Sequence, residues 1–167
     1  MKPHSNSTRS GFTLIEVLAV IAIIAVIITA LTVNIIPSLA KGRDGRRKAD
    51  LHKIATALEE YYNDKGTYPS ELHPTNGTVS VCGQNTVLSN SLKEVPCDVR
   101  TKLPYLYLPQ CASGVCKTYR LYAVLDNKHD PDIEKLGCSE ENGCYKSGVV
   151  TYTYGVAVGI QLDANGD

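Results

Sequence analysis

The sequence predicts an α+β protein in which a long N-terminal helix packs on a small antiparallel β-sheet. Three observations lead to this prediction. An apolar run at residues 12–36 is followed by a second segment with helical periodicity. Segments rich in tyrosine and β-branched residues come later, from Leu103 onwards. The chain has 167 residues and six cysteines, all of which follow the apolar run.

The first part of the predicted helix is apolar enough to span a membrane. Residues 12–36 contain one charged residue, Glu16, and one amide, Asn34. As a helix they extend roughly 37 Å at 1.5 Å per residue, and a bilayer core is about 30 Å thick. A carboxylate in such a segment is costly, and nothing else in the segment is expected to pair with it. We therefore expect a transmembrane helix at residues 12–36 whose glutamate finds its partner on another molecule.

Helical periodicity returns after Pro37. Apolar residues recur at helical spacing and form one stripe: Leu51, Ile54, Ala55, Leu58, Tyr61 and Tyr62. Pro37 should kink the helix because it has no backbone N–H to donate. Pro37, Gly42 and Gly45 together predict that the helix bends or melts within residues 34–46. The alternative is that these residues are an ordinary linker. Residues 37–66 are thus predicted to continue the helix as an amphipathic half, and Gly66 is its predicted left-handed C-cap.

The remaining residues, 67–167, are predicted to form a globular region outside the cytoplasm, packed on the amphipathic half. Three segments in it have the composition of strands, at residues 103–108, 118–125 and 149–160. In the second of these, odd-numbered residues are expected to face one side of the sheet and even-numbered residues the other.

The cysteines indicate an oxidising compartment. They are Cys82, Cys97, Cys111, Cys116, Cys138 and Cys144. An even number of cysteines in a loop-rich domain is typical of disulfides. Pairing in sequence order closes three local loops, and we predict that pairing. Zinc and free thiols are the alternatives, but the Cys-x4-Cys and Cys-x5-Cys intervals reach or exceed the outer limit of usual zinc hooks.

Composition and motifs favour assembly over catalysis. Seventeen basic and seventeen acidic residues give a formal net charge of zero, which argues against a general nucleic-acid binder. The four histidines, at positions 4, 52, 73 and 129, suggest no metal triad. The sequence has no nucleophile signature and no phosphate-binding glycine loop.

The sequence Gly-Phe-Thr-Leu-Ile-Glu-Val-Leu at residues 11–18 follows a short basic leader and precedes the apolar run. It resembles the class III signal of type IV pilins and type II secretion pseudopilins. In that family a membrane-embedded prepilin peptidase cuts after the glycine, and the new N-terminal phenylalanine is methylated. The resemblance implies that residues 1–11 are a leader, that cleavage after Gly11 makes Phe12 the first residue, and that Glu16 is the fifth-position glutamate.

The resemblance also implies a pilin-like fold and a structural role, without a cofactor. A weaker similarity to the major pseudopilins lies at residues 64–69, Asp-Lys-Gly-Thr-Tyr-Pro. The implied function is that of a subunit in a type IV pilus-like or secretion pseudopilus filament. The precursor would sit in the cytoplasmic membrane with its leader inside and its globular region outside. The implied partners are copies of itself, minor pilins or pseudopilins, the prepilin peptidase, an inner-membrane assembly platform with its ATPase, and membrane lipid.

A calcium site is a further expectation from the resemblance, because major pseudopilins bind calcium in a loop of this part of the fold. Residues 126–132 concentrate oxygen ligands, among them Asp126, Asp130 and Asp132. Their spacing does not match an EF-hand loop. Solvated turn residues are the alternative.

The sequence gives two conflicting indications of membrane topology. Lys2 and Arg9 precede the apolar run, and a larger basic cluster follows it at Lys41, Arg43, Arg46, Arg47 and Lys48. The positive-inside rule would place that cluster in the cytoplasm. The cysteines and the leader indicate the opposite, and we follow them.

Two other classes of protein remain as alternatives. Ser-Leu-Ala at residues 38–40 is similar to an ordinary signal peptidase site, and a cut near Ala40 would release a secreted, disulfide-rich binding module. A membrane-tethered enzyme is the other alternative.

Overall fold

The computed structural model of the protein describes residues 11–72, 82–83, 86–139 and 141–162, and for residues 30–36 it describes the backbone alone. In chain order, the elements are helix α1 at Leu14–Lys65, strand β1 at Leu106–Ala112, β2 at Val115–Ala123, helix α2 at Pro131–Lys135, β3 at Tyr145–Ser147, β4 at Val150–Tyr152 and β5 at Tyr154–Val158. The predicted α+β class is confirmed.

Helix α1 is continuous through Pro37. The expectation that residues 34–46 melt is therefore wrong, whereas a bend there stays a prediction. The chain divides into two compact units, residues 1–38 and 39–167, within this one helix. At the end of α1, Gly66 has a φ of 70° and its N–H donates to the Tyr62 carbonyl, as expected of a left-handed C-cap.

The second unit has two sheets. Strands β1, β2 and β5 form an antiparallel sheet in which β2 is central, and β3 and β4 form a separate hairpin. The third predicted strand, at residues 149–160, is thus divided at Thr153 between two sheets. Strand β3 and helix α2 were not predicted. Asp130 caps α2 by accepting from the Asp132 N–H, and Pro131 is at its first position.

The predicted stripe of α1 lies in the core of the second unit. Leu51, Ile54 and Leu58 are fully buried, together with Tyr119 and Leu121 of strand β2. Ala55, Tyr61 and Tyr62 are partly buried against the same core.

Strand β2 is buried on both faces over much of its length. Its even-numbered Tyr122 is fully buried because two rings of the β3–β4 hairpin cover it. The Tyr122 ring centroid lies 5.1 Å from that of Tyr145, on which it stacks, and 6.0 Å from that of Tyr152. Across the main sheet, Tyr122 lies opposite Gly155. A Cβ at Gly155 would come within 2.8 Å of the Tyr122 ring, so this position requires glycine.

Candidate functional site at the start of the long helix

Helix α1 begins with a capping box. The Thr13 side chain accepts from the Glu16 N–H at 3.3 Å, and Glu16 Oε2 accepts from the Thr13 N–H and the Thr13 hydroxyl, both at 3.4 Å. A threonine at the N-cap with a glutamate three residues later satisfies otherwise unpaired donors of the first turn. The negative carboxylate also lies at the positive end of the helix dipole. The sequence Thr-Leu-Ile-Glu therefore starts the helix by local chemistry alone.

This geometry corrects one expectation. Glu16 was expected to have no partner within its own segment, and its carboxylate instead bonds to Thr13. Those bonds come from neutral groups, and no cation pairs with Glu16 among the described residues.

Gly11 and Phe12 precede the helix without regular structure. A Cβ at Gly11 would meet nothing within 4 Å, so packing within the chain does not require glycine there. Phe12 is 85% exposed. Neither residue is explained by the fold of its own chain. The leader predicted at residues 1–11 lies outside the described residues except for Gly11.

The first turns of α1 expose a continuous apolar surface. The large side chains that are at least 48% exposed there are Phe12, Leu14, Ile15, Val17, Leu18, Val20, Ile21, Ile23, Ile24, Val26, Ile27 and Ile28. Soluble monomers rarely expose apolar patches of this extent, and larger patches mark interaction sites.

The membrane-spanning segment predicted at residues 12–36 extends beyond the side chains that the structure describes, which stop at residue 29 and resume at 37. Within the part of the chain that is described, no helix has the length and apolarity needed to cross a membrane.

A buried ionic cluster lies in the second unit, around Arg47 of helix α1. Arg47 is 2% exposed and Asp44 is 1% exposed. Arg47 Nη1 lies 2.6 Å from Asp44 Oδ1, and Arg47 Nε lies 2.5 Å from Asp98 Oδ2. Asp126 Oδ1 is 3.1 Å from Arg47 Nη1. Arg47 is thus surrounded by three carboxylates from three parts of the chain.

The cluster joins α1 to two loops. Asp44 accepts from the backbone N–H groups of Asp126 and Asn127, both at 2.8 Å. Asp98 Oδ1 accepts from the N–H groups of Arg100 and Thr101 at 2.9 and 2.8 Å. Each acid therefore fixes a loop backbone as well as the guanidinium.

Burial alone would lower the pKa of Arg47, but the hydrogen bonds to Asp98 and Asp44 outweigh it and raise that pKa. Burial alone would raise the pKa of Asp98, yet the bonds from Arg47 and from the Thr101 and Arg100 N–H groups lower it. The pKa of Asp126 is also lowered, because hydrogen bonds from Arg43 and Arg100 outweigh its burial. All of these groups are therefore charged at neutral pH, and each is paired.

The three aspartates named for calcium contact basic side chains in the structure. Asp126 bonds to Arg43 at 2.6 Å. Lys48 Nζ lies 2.6 Å from Asp130 and 2.7 Å from Asp132. No group of three or more His, Cys, Asp or Glu side chains gathered as for a metal occurs among the described residues. Calcium binding stays an untested prediction.

The same contacts account for three of the five residues in the basic cluster that follows the apolar run. Arg43, Arg47 and Lys48 all bond to aspartates from the loops after residues 97 and 125. Their charges serve the fold of the second unit. A rule that counts basic residues beside a membrane segment cannot recognise this, because the acidic partners lie far along the chain.

The second unit contains three disulfides, Cys82–Cys97, Cys111–Cys116 and Cys138–Cys144, and no free cysteine. These are the pairs that the sequence predicts. The first disulfide closes the loop between residues 82 and 97, and Asp98 is the residue that follows this loop.

Sequence analysis missed Asp44 and Arg47. One signal was available, since the two residues are spaced i, i+3 on a helix and can form an ion pair. The partners Asp98 and Asp126 left no such signal, because only the folded chain brings them to α1.

Comparison with known proteins identifies the N-terminal segment. Residues 6–32 match the family described as "Prokaryotic N-terminal methylation motif". The chain therefore carries the class III signal of type IV pilins and pseudopilins, as the sequence predicts. This motif is one of structural filament subunits rather than of enzymes. No curated protein and no solved structure matches the chain.

Proposed function

We propose that this protein is the precursor of a filament subunit, in a type IV pilus-like fibre or a type II secretion pseudopilus. Prepilin peptidase cuts it after Gly11, and Phe12 becomes the methylated N-terminus. The subunit is then assembled with copies of itself and with minor subunits by an inner-membrane platform and its ATPase. The observation that carries the proposal is the methylation motif at residues 6–32, which contains the cut site and the start of the exposed apolar helix.

The local geometry supports cleavage after Gly11. The Gly11–Phe12 bond lies outside helix α1 and both residues are exposed, so the bond is accessible to a peptidase. A glycine that its own fold does not require fits a peptidase that needs a small residue before the cut. Ala40, the rival cut site, lies inside α1. A cut there would separate the helix only four residues before Asp44 of the buried ionic cluster.

The exposed apolar surface supports a subunit that lies first in the membrane and then in the filament. Side chains from Phe12 to Ile28 are exposed in the isolated chain and need a cover. We propose that lipid of the cytoplasmic membrane covers them before assembly and that the helices of neighbouring subunits cover them in the filament. The second unit lies outside the cytoplasm, where an oxidising compartment maintains its three disulfides.

Phe12 and Glu16 have complementary charges in this function. Cleavage creates an ammonium at Phe12, and Glu16 has a carboxylate whose charge has no partner among the described residues. In a water-poor filament core each charge requires an opposite one. We propose that Glu16 of one subunit neutralises the Phe12 ammonium of a neighbour.

Mass spectrometry of the mature N-terminus tests the proposal. The full chain is expressed with a prepilin peptidase and recovered from membranes and from a sheared surface fraction. We expect methylated Phe12 as the first residue in both fractions. The matched control Gly11→Val should stay uncut in the membrane. A mature chain that begins at Lys41, or normal cleavage of Gly11→Val, would overturn the proposal.

A further inference from the structure

Three exposed apolar side chains of the second unit surround one cleft. Leu103 is 62% exposed, and Val124 and Val150 are each 40% exposed. All three line a cleft of about 320 Å³, together with Pro104 and Tyr152. Single exposed apolar residues are common on soluble proteins, whereas a contiguous apolar surface marks a place of contact. Leu103, Val124 and Val150 are called the apolar rim below.

The apolar rim lies beside the first turns of α1 in the second unit. Arg47 and Asp126 line the same cleft, and Arg43 bonds to Asp126 at 2.6 Å. Arg43 follows the apolar run, which ends at residue 36, by seven residues. Seven residues span roughly 10 Å as a helix and at most about 25 Å when fully extended. The rim is therefore tethered within reach of the end of the apolar run, whatever the angle between the two units.

The opposite end of the second unit lies far from this tether. Helix α1 ends beside Gly66, whose carbonyl accepts from Lys117 Nζ at 3.0 Å. Gly66 lies 23 residues beyond Arg43, which is roughly 35 Å along a helix.

Apolar exposure in the second unit is concentrated near the tether. Among its described residues, the large apolar side chains that are exposed are Leu39, Leu103, Val115, Val124, Val149 and Val150. Leu39 precedes Arg43 by one helical turn, and Val149 adjoins Val150 in the chain. Val115 alone lies at the other end, next to Cys116, whose carbonyl accepts from the Tyr68 N–H.

The charges around the rim suit contact with phospholipid. Arg47 and Arg100 balance Asp98 and Asp126 among the described residues that line the cleft, so no net charge there opposes an apolar contact. Arg100 bonds to Asp126 through Nη1 alone, and its side chain is 67% exposed. Near the tether, Lys41 is exposed and pairs with no acid among the described residues. Long basic side chains at a membrane surface can rest their stems on apolar groups while their charges reach lipid phosphates.

We propose that the apolar rim docks on the outer face of the phospholipid bilayer before the subunit is assembled. This inference rests on the proposed function, in which the start of α1 lies in the cytoplasmic membrane. Leu103, Val124 and Val150 enter the boundary between headgroups and acyl chains, and Lys41 and Arg100 contact lipid phosphates. The second unit is then held on the membrane in one orientation and does not swing freely at the end of α1.

Fluorescence quenching in reconstituted vesicles tests the proposal. The chain has no tryptophan, so a single introduced tryptophan is its only indole reporter. Leu103→Trp and Val150→Trp are made separately in the full-length chain. The vesicles contain phosphatidylcholine and phosphatidylglycerol with bromine on the acyl chains near the headgroup. Because interfacial side chains lie about 5–10 Å inside the membrane surface, both tryptophans should be strongly quenched.

Val115→Trp is the matched control, since it makes the same substitution at a valine of similar exposure at the other end of the unit. Tryptophan itself favours the interface, and this control accounts for that preference. Val115→Trp should be quenched several-fold less than Val150→Trp. Leu103→Asp, added to Val150→Trp, should relieve most of the quenching, whereas Val115→Asp should not. Both aspartates replace exposed side chains, so neither disrupts the core.

Ile24→Trp reports separately whether α1 is inserted, and bromine placed deeper in the acyl chains should quench it. The inference alone is overturned if Ile24→Trp is quenched while Leu103→Trp and Val150→Trp are quenched no more than Val115→Trp. It is also overturned if the rim tryptophans are shielded from aqueous iodide but are not quenched by brominated lipid, which would assign the rim to a contact with another copy of the chain. A lack of quenching in Ile24→Trp would contradict the membrane location in the proposed function, and this inference with it.

Discussion

Arg47 Nε lies 2.5 Å from Asp98 Oδ2, and this contact joins helix α1 to the residue that follows the Cys82–Cys97 disulfide. The guanidinium is 2% exposed, so it depends on this and the neighbouring carboxylates for its stabilisation. Removing one of these carboxylates leaves a buried charge with fewer partners and no access to water, which costs more than the contact itself stabilises.

The first prediction concerns this pair. Asp98→Asn should lower the free energy of unfolding of the second unit by about 3 kcal/mol, because Arg47 loses a charged partner and the single amide oxygen cannot accept from both the guanidinium and the two loop N–H groups. Urea unfolding followed by tyrosine fluorescence measures the change. Asp132→Asn is the control: that carboxylate is exposed to solvent and Lys48 keeps Asp130, so the loss should be much smaller than for Asp98→Asn. Equal losses in the two variants would contradict the assignment.

The second prediction concerns acid. In the folded protein the pKa values of Asp98 and Asp126 lie below the ordinary value of about 3.9 that they regain on unfolding. The unfolded state therefore takes up more protons than the folded state as the pH falls. Stability from these groups is fully present above about pH 5 and is lost as the pH falls through their folded pKa values.

Thermal melts of the wild-type chain between neutral pH and pH 3 measure this loss. The melting temperature should be nearly constant near neutral pH and should fall steeply below about pH 4. In Asp98→Asn the fall should be smaller, because one of the responsible carboxyls is gone. The same steep fall in this variant would show that other carboxyls cause the acid sensitivity.

The third prediction concerns glycines within α1. Gly45 is helical and exposed, and a Cβ there would meet nothing within 4 Å. Gly45→Ala should therefore raise the free energy of unfolding by about 0.5–1 kcal/mol, since alanine restricts the unfolded chain and fits the helix. The control is Gly66→Ala, where φ is 70° and an L side chain is strained. That variant should lose about 1 kcal/mol in the same urea titration. A loss in Gly45→Ala would mean that the helix is not continuous there in solution.

The sequence predicted the apolar part of this fold well and the charged part poorly. Hydrophobic spacing identified the stripe of Leu51, Ile54 and Leu58, because apolar burial repeats with the period of the helix. Arg47 has no such signature. A buried charge looks like a surface charge in the sequence, and its burial depends on aspartates that the fold brings from distant loops.

The division of residues 149–160 between two sheets was missed for a related reason. Tyrosine-rich composition predicts strand, but it does not say which sheet a strand joins. Thr153 separates β4 from β5, and its hydroxyl accepts from the Leu125 N–H. That contact depends on tertiary structure, so the strand propensity of the local sequence does not predict it.

The last prediction separates the two roles of Glu16. In the isolated chain its carboxylate completes the capping box with Thr13, and in the proposed filament it neutralises the Phe12 ammonium of a neighbour. Glutamine can replace glutamate in a capping box but carries no charge. Thr13→Ala makes the opposite change, since it removes the cap side chain and keeps the charge, at a cost of about 1 kcal/mol to the helix.

Three variants of the full chain are therefore compared: Glu16→Gln, Glu16→Val and Thr13→Ala. An unpaired buried ammonium costs on the order of 3–5 kcal/mol, which lowers the association constant of each subunit by roughly a hundredfold or more. Filaments in sheared surface fractions should be lost in both Glu16 variants and retained in Thr13→Ala. Membrane levels and the mature N-terminus should stay normal in all three, because the cut lies at Gly11. If Glu16→Gln assembled normally while Thr13→Ala did not, the glutamate would act through the start of its own helix, and its negative charge would have no part in assembly.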